Sequence, residues 1–125
     1  MTEKTRNITG WILTALISIV FIASAVIKLK GGEEIVKATA AMGISLGVFQ
    51  MLGVIELVSV LLFIIPRTGL LGTLLLTAYL GGAIATHLEH QQSVLTPVII
   101  ESVLWITATI RFPELSKRLL GNQSV

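Results

Sequence analysis

The chain has no cysteine and no aspartate. Without a thiol it can form no disulfide, present no thiolate nucleophile and hold no Cys-ligated metal. Charge is scarce too: 13% of the 125 residues are charged, about half the share usual in a soluble domain. The net charge of +2 is too small, and the basic residues too scattered, for nucleic acid to be a partner. There is no internal repeat, glycine-rich phosphate loop or low-complexity tract. One domain, residues 1–125, is the natural count.

What the chain does have is apolar sequence, 54% of the total. It gathers in four segments, about 8–27, 47–65, 69–88 and 94–110, which hold only Glu56 and Glu101 among the nine basic and seven acidic residues. About 20 residues at about 1.5 Å rise per residue cover about 30 Å, the hydrocarbon thickness of a bilayer. A soluble bundle would need a polar stripe along each helix, and the stretch from Ile8 to Ile27 has none. The predicted fold is therefore all-α, an integral membrane four-helix bundle running up-down-up-down. Ala23-Ser24-Ala25 resembles a signal-peptidase site. The apolar run continues past it to Ile27, so the segment is read as a retained first helix.

The connections differ in kind. Pro66-Arg67-Thr68 and residues 89–93 are short turns, which make the second and third and the third and fourth helices antiparallel neighbours. The longer stretch 28–46 holds Gly31-Gly32, then Glu33 and Glu34, then Ile35, Val36, Ala38 and Met42, and Gly43. Acids at its start and a glycine at its end predict a short helix between Glu33 and Met42, lying at the membrane surface. Pro113 is expected to start another, with Phe112, Leu115 and Leu119 toward lipid and Lys117 and Arg118 exposed. Trp11 fits an aromatic anchor near one interface. Lys4, Arg6, Arg67, Arg111, Lys117 and Arg118 fall on one side of such a bundle; Lys28, Lys30 and Lys37 fall on the other. The positive-inside rule then puts both termini in the cytoplasm of a multi-pass cell-membrane protein.

Ionisable groups inside spans are costly and point to function. Counting outward from the short turns places Glu56, Tyr79 and Glu101 within about one helical turn of each other in depth. Gly82 and Thr86 share a face with Tyr79, and Gly82 is expected to let a neighbouring helix approach. Lys28, Gln50 and His87 form a layer nearer the outer surface, where Lys28 and His87 are expected to meet each other or a shared ligand. These eight residues are the candidate lining of a polar pocket open outward. An isolated carboxylate at the depth of Glu56 is disfavoured in its charged form. Glu56 is therefore expected to face inward, bonded to Tyr79, to a water or to Lys28, and to carry a proton much of the time. Each group also has a structural reading: Glu56 and Glu101 as interhelical glue, His87 as a solvated interfacial imidazole, Lys28 as a snorkelling side chain, Tyr79 and Trp105 as packing. A metal is not expected, since the helix is predicted to end between His87 and His90 and no acid is level with them.

Several stretches carry a resemblance: Ser24-Ala25-Val26-Ile27-Lys28-Leu29, Leu52-Gly53-Val54-Ile55-Glu56-Leu57, Ile65-Pro66-Arg67-Thr68 and Gly82-Ala83-Ile84-Ala85-Thr86-His87-Leu88. In order and spacing they resemble the DoxX-like family of small four-span membrane proteins, across about residues 10–110. Where that family often has glycine, this chain has Ala25, and Glu101 lies outside the shared pattern. The resemblance implies the four-helix membrane fold more firmly than any activity. Relatives in the wider superfamily include membrane subunits of quinone-reducing sulfur oxidoreductases, components of thiol and superoxide defence, receptor assembly factors and cargo receptors. Three readings follow. One is a redox-associated subunit holding a quinone or other lipid-soluble ligand, none of it covalently bound, with electrons passed by a partner or cofactor. Another is a non-enzymatic chaperone or adaptor for a membrane protein partner. The last is a proton-coupled carrier using Glu56, which would require a homo-oligomer. All three keep the lipid bilayer as the surroundings, and the residues alone leave enzymatic and non-enzymatic readings open.

Overall fold

The structure, a computed structural model, describes residues 2–121. Six helices follow one another: α1 Glu3–Lys30, α2 Glu33–Ala41, α3 Leu46–Ile64, α4 Gly69–Glu89, α5 Leu95–Arg111 and α6 Pro113–Leu119. No strand occurs among the described residues.

Local chemistry explains the boundaries. Thr2 caps α1, its hydroxyl accepting from the Thr5 N–H at 3.2 Å, and Ser45 does the same for α3 through the Val48 N–H at 3.2 Å. Gly31 and Gly32, at φ 65° and 111°, make the reversal between α1 and α2, a backbone that side-chain-bearing residues resist. Pro66 follows the end of α3 and Pro113 opens α6. The short helix expected over 33–42 is present as α2.

α1, α3 and α4 are long and apolar enough to cross a bilayer, with mean hydropathies of 2.5, 2.2 and 1.5. α5 has 17 residues and is joined to α6 across a 112° bend; counted as one bent span, that pair brings the total to four. At 28 residues α1 runs about 42 Å, longer than a hydrocarbon core, so its charged ends Glu3, Lys4 and Lys30 can stand outside it.

The four long helices pack in a ring: α1 on α3, α3 on α4, α4 on α5, and α5 back on α1. α2 rests on α3 and α6 on α5. Ile17, Phe21, Val60, Phe63, Leu76, Leu80 and Leu104 fill the middle. Outside lie exposed Ile12, Leu16, Ile19, Leu61, Leu74, Ile99 and Ile106, a surface suited to lipid rather than water. Hydroxyls inside the ring are mostly consumed locally. Thr14, Ser59, Thr73 and Thr107 donate to carbonyls four residues back at 2.6, 2.7, 2.9 and 2.7 Å.

Among the glycines, Gly72 is the most tightly packed. A Cβ there would lie 2.2 Å from the Phe63 backbone nitrogen, so only glycine lets α4 press this near α3. At the same end the last carbonyls of α3 need partners from outside the helix. Pro66 has no N–H for the Leu62 carbonyl, and the Thr68 hydroxyl takes its place at 2.9 Å. The Arg111 guanidinium at the end of α5 donates to the Phe63 and Ile64 carbonyls at 2.7 and 3.2 Å. Trp11, Phe63 and Phe112 surround it, their ring centres 4.9–5.0 Å from the guanidinium carbon. Phe112 accordingly points inward, 8% exposed, and not to lipid as expected. Its ring occupies the space over Gly69.

Candidate functional site

Among the described residues, one ion pair lies in the apolar interior. Glu56, midway along α3, is 1% exposed, and its Oε2 lies 3.0 Å from Nζ of Lys28, near the end of α1. Two hydroxyls converge on the same oxygen: Ser24 donates to it at 3.3 Å and Tyr79 of α4 at 3.2 Å. Lys28 also donates to Ser24 at 2.5 Å. Three helices thus meet at one carboxylate oxygen.

Each partner is delivered by helix geometry. Ser24 and Lys28 are four residues apart and stand on one face of α1. Gly53 lies on α3 one turn before Glu56, and a Cβ there would come 3.0 Å from Cβ of Lys28 and 3.3 Å from the Ala25 carbonyl. The missing side chain lets α1 and α3 close on each other at the level of the pair. The Lys28 ammonium also lies 5.5 and 5.6 Å from the ring centres of Phe49 and Tyr79, whose π faces favour a cation. Tyr79 is steadied in turn by an edge-on contact with Phe21 at 6.4 Å.

Glu56 is thus not an isolated carboxylate. In the structure a cation and two hydroxyl donors compensate it, and burial of the pair is matched by hydrogen bonds at both ends. The cluster offers an incoming molecule an ammonium donor, two hydroxyls and a carboxylate acceptor, walled by aromatic rings.

Of the eight predicted residues, Lys28, Glu56 and Tyr79 come together. Gln50 stands nearby and caps α1, donating to the Leu29 carbonyl at 3.2 Å. The other four do not join. Thr86 donates to the Gly82 carbonyl at 2.9 Å. Nδ1 of His87 contacts the Ala83 carbonyl at 2.6 Å. Both are spent on their own helix, and Lys28 turns inward without meeting His87. Gly82 is exposed with nothing within 4 Å of a Cβ placed on it, so the close approach expected there is made at Gly53 and Gly72 instead. Glu101 is half-buried on α5 and has no hydrogen bond or ion pair among the described residues. A shallow depression of about 350 Å³ lies at the α1–α2 corner, lined by Ile27, Lys30, Gly31, Gly32 and the start of α2. It does not reach Glu56 or Tyr79. Among the described residues no group of three or more His or Glu side chains could hold a metal.

Sequence reasoning missed Ser24, Phe49 and Gly53. The signal for two of them was present: Ser24 is one turn from Lys28, and Gly53 one turn from Glu56. Phe49 is one of many apolar residues in α3, and only packing distinguishes it.

No curated protein and no solved structure matches the chain. A family match does exist, over residues 12–110, and it takes in α3, α4 and all of the Ser24–Lys28–Glu56–Tyr79 cluster. With most of its length covered, this protein is a member of the DoxX-like family.

Proposed function

We propose that this protein is a multi-pass cell-membrane subunit associated with redox chemistry, and that the Lys28–Glu56–Tyr79 cluster binds the polar head of a lipid-soluble ligand such as a quinone. The supporting observation is the cluster itself. An ammonium, a carboxylate and two hydroxyls meet inside a ring of apolar helices, where ionisable groups are costly unless they serve a purpose. A quinone carbonyl accepts hydrogen bonds from Lys28 or Tyr79, and a quinol hydroxyl donates to Glu56. Reducing a quinone takes two electrons and two protons. The electrons come from a partner protein, and the cluster's contribution is to orient the head group and exchange hydrogen bonds with it. In this reading α1, α3, α4 and α5 all cross the bilayer, up-down-up-down, with both termini in the cytoplasm.

The test is lipid analysis of protein extracted with its native membrane. A co-purifying isoprenoid quinone is expected with the native chain. It should fall at least tenfold in a Lys28→Met/Glu56→Gln double variant that keeps its helix content. Equal quinone in the two preparations, or none in either, removes the proposal.

One observation favours a second reading, an adaptor for another membrane protein. Gly81 and Gly82 lie exposed on α4, where an added Cβ would have nothing within 4 Å, a bare patch of backbone that a partner helix can approach closely. Because the chain has no cysteine, a single Gly82→Cys change allows crosslinking there. A specific protein adduct in native membranes, together with no quinone, would select the adaptor reading.

A further inference from the structure

Charge is unequally divided between the two ends of the helix ring. The Gly10–Arg111 and Gly69–Phe112 contacts bring the start of α1, the α3–α4 turn and the α5–α6 junction to one end. That end carries Lys4, Arg6, Arg67, Arg111, Lys117 and Arg118 against Glu3 and Glu114. Arg111 is spent on carbonyls and aromatic rings, and the other cations are wholly or partly exposed. At the opposite end Lys30 and Lys37 are outnumbered by Glu33, Glu34 and Glu89.

α6 gives the basic end a shape. The 112° bend at Phe112 keeps α6 from extending α5 and lays it across the ring's axis. At about 100° per residue, Phe112, Leu115 and Leu119 share one side of α6, Arg118 flanks them, and Lys117 lies opposite. Phe112 anchors that apolar side in the protein, whereas Leu119 is 56% exposed and Leu120, just beyond the helix, 81%. An apolar strip that starts in the protein core and runs out beside the lipid-facing surface, with one cation flanking it and one behind, suits an interface of acyl chains and acidic head groups.

We propose that α6 is an in-plane lipid-recognition element, in which Leu115 and Leu119 enter the acyl region while Lys117 and Arg118, with Arg67 of the neighbouring turn, bind the phosphates of anionic phospholipids. The exposed leucines favour a lipid occupant over an acidic protein, which would match the cations but leave the leucines in water. The inference does not depend on the ligand of the Lys28–Glu56–Tyr79 cluster.

The full chain is reconstituted in phosphatidylcholine discs doped with phosphatidylglycerol, released gently, and its retained lipids are weighed by native mass spectrometry. The native protein should retain phosphatidylglycerol well above its bulk share. A Lys117→Gln/Arg118→Gln variant should lose that enrichment on the order of tenfold. Leu119→Ser should weaken retention of both lipids. Lys30→Gln/Lys37→Gln, at the opposite end, should change nothing. The proposal is overturned if the native protein shows no enrichment, if the α6 double variant keeps it, or if the opposite-end variant loses it equally. A native-membrane pulldown in which the α6 variant loses an acidic protein, without any lipid enrichment in the native chain, assigns the face to that protein instead.

Discussion

Glu56 and Lys28 are each tolerable in the interior because of the other. Their separation of 3.0 Å, with Glu56 at 1% exposure, means that removing one partner strands an uncompensated charge, at a cost of about 3–5 kcal/mol. Lys28→Met and Glu56→Leu should therefore each destabilise strongly, while the double variant should recover most of the loss. Thermal unfolding of the four proteins in one detergent measures the coupling. Single variants within about 1 kcal/mol of the native protein would mean that the pair is solvated and contributes little. If the recovered double variant also lacks ligand, the cluster's role is binding and not only packing. Glu56→Gln is a milder probe, since an amide oxygen still accepts from Tyr79 and Ser24.

Among the elements, α3 is the one the others are fitted to, since it takes contacts from α1, α2 and α4 and gives its last carbonyls to Arg111 of α5. Gly53 and Gly72 set how near its neighbours come. At Gly72 a Cβ would stand 2.2 Å from backbone nitrogen, so Gly72→Ala should force α3 and α4 apart and destabilise by about 1–3 kcal/mol. Gly82, ten residues later on the same helix, has nothing within 4 Å. There alanine should be neutral or stabilise by up to about 1 kcal/mol through helix propensity alone. Equal melting temperatures for the two alanine variants would contradict this account of the packing.

For the whole molecule the decisive question is which end faces which compartment. The uneven distribution of Lys and Arg supports cytoplasmic termini. Single cysteines introduced at Lys4 or Lys117 should react with an impermeant maleimide only after the membrane is opened, and one at Lys37 should react in intact cells. Labelling of the Lys4→Cys and Lys117→Cys variants only from outside would reverse the orientation, and mixed labelling would break the four-span count.

Chain sequence alone determined that the molecule is all-α and where its long apolar helices fall, because a bilayer demands about 20 apolar residues per crossing. It also determined that Glu56 and Tyr79 lie level, since the helical rise is fixed and the Pro66-Arg67-Thr68 turn is short; their 3.2 Å hydrogen bond agrees. Tertiary structure decided how each helix is rotated about its own axis. In a membrane protein the lipid face is as apolar as the core, so hydrophobic periodicity carries little information about which side turns inward. That is why the sequence points Gly82 to a contact it does not make and Phe112 to lipid when its ring turns inward. The same rotation turns Ser24 and Lys28 toward Glu56 and sends Arg111 to the end of α3. These arrangements depend on side chains 28 to 48 residues apart in the chain, and only the closed ring of helices brings them within reach.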